Sequence, residues 1–285
     1  MPEKPEVITV ANAIKPKIIN KTITSAFVYW DNIIATPSVS EFKEKIKNKT
    51  VKDVTTRGKF IIINLGSVSL LIHLRMEGKF TFREKNDPLN KHEHVIFNFS
   101  DDKQMRFYDV RKFGKIYLID TINLYKDSPL VNLGYEYNDL LLTKEYLYNK
   151  LKSKNIPIKT SLLDQSIIAG IGNIYDDEIL FLSKISPYTK SKDITLDEAL
   201  AIIKNTNIIL DKAIKLGGTT IKSFTSSEGV HGKFQNSLLV HGKKGEICSV
   251  CREKIVKVKI NGRGTYYCPN CQKEVKDEKE NKNNM

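Results

Sequence analysis

Long apolar stretches are missing from this chain. Runs such as Ile61-Ile62-Ile63 and Leu70-Leu71-Ile72 fall far short of the roughly 20 residues a membrane span needs, so no membrane partner is expected. The first residues include Glu3, Glu6 and Pro5 where a secretion signal needs a basic start and an apolar run, and a reducing, cytoplasmic setting follows. Cysteine is scarce and confined: all four lie between Cys248 and Cys271, leaving the rest of the chain without a disulfide framework. Arginine is scarce too. Only Arg57, Arg75, Arg83, Arg106, Arg111, Arg252 and Arg263 stand among 46 basic residues, and where lysine is the default an arginine hints at a planar, multi-donor contact. No internal repeat is present.

What is there is a basic chain of 285 residues, room for two or three domains, with 40% hydrophobic residues and a net charge of +13. The tail after Cys271 is charge-balanced, so the excess sits on the folded part, as a polyanion binder requires. A proteome-wide lysine bias would give the same number.

Apolar residues Val7, Val10, Ala11, Ile14 and Ile18 recur at helical spacing after Pro5, predicting a first helix that leaves near Pro16. From 22 to 120 the pattern changes to short β-branched and aromatic runs at 22–29, 59–65, 68–74, 79–83, 94–99, 104–108 and 115–119. A helix interrupts them near 41–47. This reads as an antiparallel β-sandwich. Helical patterns follow from Ser128-Pro129, and Thr195-x-x-Glu198 is a capping box opening a helix that Gly217 can close. The expected organisation is an α+β multidomain chain: a β-sandwich domain at 1–127, a helical domain at 128–237 that includes a Thr/Ser/Gly-rich loop at 219–237, a cysteine module at 238–272 and a disordered polar tail at 273–285.

Cys248-x2-Cys251 and Cys268-x2-Cys271 present two thiolate knuckles to one ion, the pattern of a structural zinc site; two disulfides are the alternative, which the lack of an export signal argues against. Between the pairs, 255–260 and 265–267 read as strands joined by a tight turn at Asn261-Gly262-Arg263-Gly264, which holds Arg263 at a hairpin tip where it can grip a phosphate. At the other end, removal of Met1 would leave Pro2 with a secondary amine able to condense with an aldehyde-level carbon to an iminium, an electron sink. Glu3 and Glu6 can act around it as general acid and base.

Taken in order, Met1-Pro2-Glu3, Pro5-Glu6-Val7, Arg57-Gly58-Lys59, His73-Leu74-Arg75-Met76-Glu77-Gly78, Lys91-His92-x-His94, Asp109-x-Arg111-x-Phe113-Gly114, Leu162-Leu163-Asp164-Gln165 through Ala169-Gly170-Ile171-Gly172-Asn173-Ile174-Tyr175, Gly217-Gly218-Thr219-Thr220 and the cysteine hairpin resemble the formamidopyrimidine-DNA glycosylase family, from residue 2 to about 272. The resemblance implies a β-sandwich, a helix–two-turn–helix domain and a zinc finger with duplex DNA between them. It implies a monomeric, nucleoid-associated bacterial enzyme that removes 8-oxoguanine and formamidopyrimidines and then cuts the strand.

By that resemblance Pro2 is the nucleophile on C1′, Glu3 the acid assisting base loss, and Glu6 a supporting carboxylate. Lys59 and Arg263 are the proton donors of β- and δ-elimination, and both hold phosphates. A buried base must be flipped out and its space filled, and Met76, Arg111 and Phe113 match the filling trio. His92, Arg111, Lys154, Lys159 and His73 fall among the DNA contacts. Asn173, able to cap the helix after Gly170-Ile171-Gly172, adds a phosphate donor. Backbone amides at 219–225 would close over the flipped purine. Two departures stand out: Lys4 replaces a leucine usual in the family, and Val110 a proline. Lys4 should lower the pKa of the nearby amine. The competing expectations are an endonuclease VIII-like enzyme for oxidised pyrimidines and a non-catalytic zinc-ribbon DNA binder.

Overall fold

Short apolar and aromatic strands build the first half. The computed structural model describes residues 1–219 and 232–273; the central part of the loop expected at 219–237 and the tail from 274 lie outside the described residues. Helix α1 (Lys4–Ile18) is followed by β1 (Thr22–Val28), β2 (Ile34–Thr36), helix α2 (Val39–Ile46), β3 (Lys49–Thr50), β4 (Asp53–Arg57), β5 (Phe60–Asn64), β6 (Val68–His73), β7 (Lys79–Glu84), β8 (Glu93–Phe99), β9 (Lys103–Tyr108) and β10 (Lys115–Asp120). The strands form two five-stranded sheets, ordered β3-β1-β8-β9-β7 and β2-β10-β6-β5-β4. Every pairing is antiparallel except β10 with β2. The expected sandwich is present, with one parallel edge.

One core joins the two sheets. Ile61 and Ile63 of β5 face it together with Leu70, Ile72, Phe80, Phe97 and Phe107, while Phe60, Ile62 and Leu71 point the other way onto Leu124 and Leu130. The second sheet is therefore covered on both faces, which explains why β5 reads as an unbroken apolar run instead of an alternating one. The outer face of the first sheet is covered by polar groups: Thr81, Glu93, Asn98, Gln104 and Arg106 are all buried there. Helix α1 runs through Pro16 to Ile18, past its expected exit. A proline in the last turn forfeits one backbone hydrogen bond, and burial of Ile14 and Ile18 offsets that loss.

The second half contains β11 (Tyr135–Glu136), α3 (Lys144–Lys152), α4 (Ile158–Leu162), β12 (Ile168–Ala169), α5 (Asn173–Leu182), α6 (Leu196–Lys215), β13 (Val256–Ile260) and β14 (Arg263–Tyr267). The capping box opens α6 as expected: the Thr195 N–H donates to Glu198 Oε2 (2.9 Å) and the Glu198 N–H to Thr195 Oγ1 (3.2 Å). Gly217, at φ +73, ends it. Compactness divides the chain into two units, residues 1–133 with 211–236 and residues 134–210 with those from 237 on. The stretch around Gly217-Gly218-Thr219 thus packs with the sandwich.

Candidate active site and nucleic-acid interface

The N-terminus of α1 brings together Pro2, Glu3 and Glu6. Pro2, Glu3, Lys4, Pro5 and Glu6 are all buried, and Glu6 Oε2 reaches back to accept the Glu3 N–H at 2.8 Å. The other oxygen of Glu6 accepts from the Thr219 N–H (2.8 Å) and its hydroxyl (3.0 Å). Gly218, at φ +76, makes this possible: a Cβ there would lie 2.7 Å from Glu6 Oε1. With three donors on its carboxylate, Glu6 is a positioning group.

The terminal amine, here that of Met1, has its pKa lowered from 8.0 by burial; Glu3 and Glu6 oppose the shift and Lys59 adds to it. Lys4 donates its ammonium to Thr56 Oγ1 at 3.0 Å, and Lys59 is a cation acting on the Met1 amine. Lys59 owes its place to the two-residue turn between β4 and β5, where Arg57 pairs with Phe60 and Gly58 sits at φ +54. The turn leaves the Lys59 side chain buried.

Two further turns in the same unit present Met76, Arg111 and Phe113. Between β6 and β7 the Gly78 N–H donates to the Leu74 carbonyl (2.9 Å), with no room for a Cβ at Gly78, and Met76 stands half-buried on this turn. His73 Nδ1 accepts the Arg75 N–H at 3.0 Å, so its proton is assigned to Nε2. Burial, then Arg75 and Lys59, push its pKa down to about 3. His73 is thus neutral at cellular pH and has a neutral N–H, not a cation, to offer a phosphate.

After β9, the buried Asp109 carboxylate accepts the N–H groups of Arg111 (3.0 Å) and Gly114 (2.7 Å). That turn leaves Arg111 exposed and Phe113 half exposed, with the guanidinium 4.8 Å from the ring centroid. An exposed apolar ring backed by a cation suits insertion between bases. Asp109 was legible as a turn former, but its role as the support of this turn was not foreseen. His92 is half-buried with its ring edge-on to Tyr108 at 5.6 Å.

In the second unit the cysteine hairpin is fastened to α4 and α5. Asn173 Nδ2 donates to the Gly264 carbonyl (2.8 Å), Asn261 Nδ2 to Thr160 Oγ1 (2.9 Å), and the Tyr266 N–H to Asp177 Oδ2 (3.2 Å). Two expectations change. Gly172, not Asn173, caps α5: Asn173 is already the first helical residue, and one N–H of its amide goes to the hairpin. Arg263 does not sit at the hairpin tip: the turn is Asn261-Gly262, at φ 44 and 79, and Arg263 opens β14 opposite Ile260, with its side chain exposed.

Lys159 also departs from its expected role. It is fully buried, 2.6 Å from Asp177 Oδ1 and 3.4 Å from Asp176 Oδ2, so it faces carboxylates and cannot meet a phosphate. Burial alone would lower its pKa, but the two aspartates outweigh it and hold it above the ordinary lysine value. Lys154 remains a third exposed, 3.5 Å from Asp164. Asp177, Glu178 and His241 were not singled out from the sequence. Asp177 Oδ2 meets His241 Nδ1 at 2.6 Å, and Glu178 accepts the N–H groups of Leu239, Val240 and His241 at 2.7–3.0 Å.

The four cysteine sulfurs lie within 4.8 Å of one another, with Cys248 3.8 Å from Cys271 and Cys251 3.3 Å from Cys268. Two sulfurs on a tetrahedral zinc, each about 2.3 Å from it, sit about 3.8 Å apart, so the donor set fits one ion. Burial first, and the neighbouring thiols next, push the Cys271 thiol up. Four thiols this close ionise together only around a dication. This is a zinc site.

Three family models match in sequence order: the formamidopyrimidine-DNA glycosylase N-terminal domain over 1–116, its H2TH domain over 133–225, and the zinc finger found in FPG and IleRS over 245–273. The chain belongs to the formamidopyrimidine-DNA glycosylase family. It is 41% identical over 273 residues to the formamidopyrimidine-DNA glycosylase of Lactobacillus delbrueckii subsp. bulgaricus, covering 96% of this chain and 100% of that one. To the enzyme of Bacillus cereus it is 40% identical over 276 residues, again covering 96% and 100%. Among solved structures it resembles the Lactococcus lactis glycosylase bound to DNA containing an AP site (TM-score 0.88, 36% identity, covering 95% of this chain and 100% of that one). It also resembles MutM in complex with DNA containing carbocyclic 8-oxo-G (TM-score 0.89, 36% identity, covering 96% and 100%). The family resemblance read from the motifs therefore stands, and with it the mixed α+β fold and the zinc. Among the described residues no helix is long and apolar enough to cross a membrane.

Proposed function

We propose that this chain excises oxidised purines, 8-oxoguanine and formamidopyrimidines, from duplex DNA and then cleaves the strand, with Pro2 as nucleophile once Met1 has been removed. The observation that carries this reading is the burial of the α1 N-terminus among Glu3, Glu6 and Lys59. A desolvated amine keeps its lone pair, and carboxylates beside it can move protons.

The Pro2 nitrogen forms a bond to C1′ as the C1′–N bond to the base breaks, and the base leaves with a proton. Glu3 protonates the sugar ring oxygen, the ring opens, and the nitrogen is left as an iminium. Loss of a C2′ proton then expels the 3′ phosphate, and a second elimination expels the 5′ phosphate. Lys59 and Arg263 serve these two steps as cations that hold phosphates and supply protons. Glu6 holds the N-terminus and Thr219 in place. Met76, Arg111 and Phe113 fill the vacated stack, Arg111 donating to the acceptors of the cytosine opposite. His92, Lys154, Asn173 and the neutral His73 add phosphate contacts. The working division is a sandwich domain at 1–127, a helical domain at 128–237 and a zinc finger at 238–272, acting as a monomer in the cytoplasm. Zinc supplies no chemistry to the sugar; bound by Cys248, Cys251, Cys268 and Cys271, it stiffens the hairpin that carries Arg263.

Borohydride trapping on an 8-oxoguanine duplex tests the reading. A covalent adduct is expected with the mature chain and not with Pro2→Gly or a form that retains Met1. Intact binding without any adduct would instead mean a non-catalytic binder. Thymine glycol excised faster than 8-oxoguanine would move the enzyme to the pyrimidine branch.

A further inference from the structure

We infer that Arg106 is a positioning residue that clips the loop between β7 and β8 to the outer face of the first sheet and thereby sets His92 for its phosphate contact. The inference rests on the reading of His92 as a DNA contact.

The loop's own hydrogen bonds are local, Glu84 N–H to Asp87 Oδ2 (3.0 Å) and Asp87 N–H to the Glu84 carbonyl (3.0 Å), and Lys85 adds an exposed ion pair with Asp102 (3.6 Å). Residues 85–91 are all exposed, so no side chain of theirs anchors it in a core. Asp87, Pro88 and Asn90 of the loop line an open depression of about 450 Å³ together with Lys79, Arg83 and Tyr108. An exposed segment without buried side chains depends on hydrogen bonds to keep one conformation.

Arg106 supplies them. Its guanidinium is 2% exposed, and all five of its N–H groups have an acceptor. Nε donates to Gln104 Oε1 (2.8 Å), Nη1 to the Pro88 carbonyl (3.0 Å) and Glu93 Oε2 (2.9 Å), and Nη2 to the carbonyls of Asp87 (2.8 Å) and Glu84 (3.5 Å). Three backbone carbonyls spread over 84–88 are thus gathered by one planar group, which a lysine ammonium with three donors cannot reproduce. Glu93 completes the clip by accepting the Asn90 N–H at 3.0 Å and the Thr81 hydroxyl at 3.2 Å.

Behind Arg106 the chain of hydrogen bonds continues. Gln104 Nε2 donates to Asn98 Oδ1 (2.7 Å), and Asn98 Nδ2 to Ser25 Oγ (2.8 Å), so the guanidinium is braced against three strands. At the far end of the loop Asn90 Oδ1 accepts the His92 N–H (3.0 Å), and the Asp109 N–H donates to the His92 carbonyl (2.9 Å). One rigid polar ladder therefore runs from β1 to the residue that faces DNA.

The test is a double-mutant cycle on the mature chain, reading Kd for a duplex carrying a tetrahydrofuran abasic analogue, with amide hydrogen exchange of 84–92 measured alongside. R106K, and E93Q in case R106K folds poorly, should each weaken binding about tenfold in the wild-type background and less than twofold when H92A is already present. Both should also speed exchange at 84–92. Equal losses in both backgrounds, or an unchanged Kd in the folded variants, would overturn the inference. H92A that leaves Kd unchanged would remove the phosphate contact of His92 itself, while the exchange data would still report whether the clip exists.

Discussion

Glu6 and Thr219 stand 213 residues apart in sequence and meet through two hydrogen bonds, 2.8 and 3.0 Å long, to a single carboxylate oxygen. The nucleophile's helix and the start of the loop expected over the flipped base are thus held by one side chain, whose other oxygen fixes the Glu3 N–H.

E6Q should therefore cost more than its volume suggests. The amide that replaces one carboxylate oxygen presents N–H to N–H, and hydrogen bonds to a charged group are worth about 1.5–3 kcal/mol. A fall in Tm of about 5 °C is expected, with single-turnover excision of 8-oxoguanine slowed at least tenfold. G218A, which drives a methyl into Glu6 Oε1 from a left-handed backbone, should reproduce the kinetic loss. Unchanged excision in both folded variants would mean that the bridge is idle.

Lys159→Met separates a structural lysine from a DNA contact. Removing one partner of a buried ion pair typically costs about 3–5 kcal/mol because the remaining charge is stranded. A large drop in urea midpoint is expected, while the salt dependence of DNA binding by the folded fraction keeps its slope. A slope reduced by about one with stability intact would restore Lys159 to the phosphate contacts.

His73 makes stability pH-dependent. Its pKa is about 3 in the fold against 6.5 in the unfolded chain, so between these values the unfolded state binds the extra proton. Stability is full above the unfolded pKa and lost as pH falls, by about 1.4 kcal/mol per unit. Urea unfolding of wild type and H73Q at pH 7, 6 and 5 should show the wild type losing this increment relative to the variant; parallel curves would mean that the imidazole titrates normally.

Chelation should melt the cysteine module and slow strand cleavage while leaving the sandwich folded. Fewer than 40 residues offer little core of their own. Near-ultraviolet circular dichroism and zinc release by a thiol reagent would follow the loss, and C251S should mimic it. A module that keeps its fold without metal would show that the fastenings to α4 and α5 suffice.

Legibility followed the kind of force at work. The seven strands at 22–29, 59–65, 68–74, 79–83, 94–99, 104–108 and 115–119 declare themselves because each is a short β-branched and aromatic run bounded by turn residues. Strand β4 was missed because it is an edge, with Val54 its only buried side chain. The sulfur quartet was legible from spacing, and Pro2, Glu3 and Lys59 only through the motifs around them. Nothing local to Lys159 distinguishes a buried ammonium from a phosphate-binding one, since its partners are supplied by α5 in the fold. The same holds for Arg106, whose work is done on carbonyl groups that carry no sequence signal. Asn173 suits a cap by residue type, but the helix starts one residue earlier than that role requires, with Gly172 as its cap.

Helix α5 displays on successive residues two acids whose donors come from the segment after 237: Asp177 takes His241 and Tyr266, and Glu178 takes three backbone N–H groups. The helical unit is therefore not a module that could be borrowed without its finger. A chain cut at residue 237 would strip Glu178 of all three of these donors and leave Asp177 with Lys159 alone, so the segment after 237 is held in register by two neighbouring side chains of one helix.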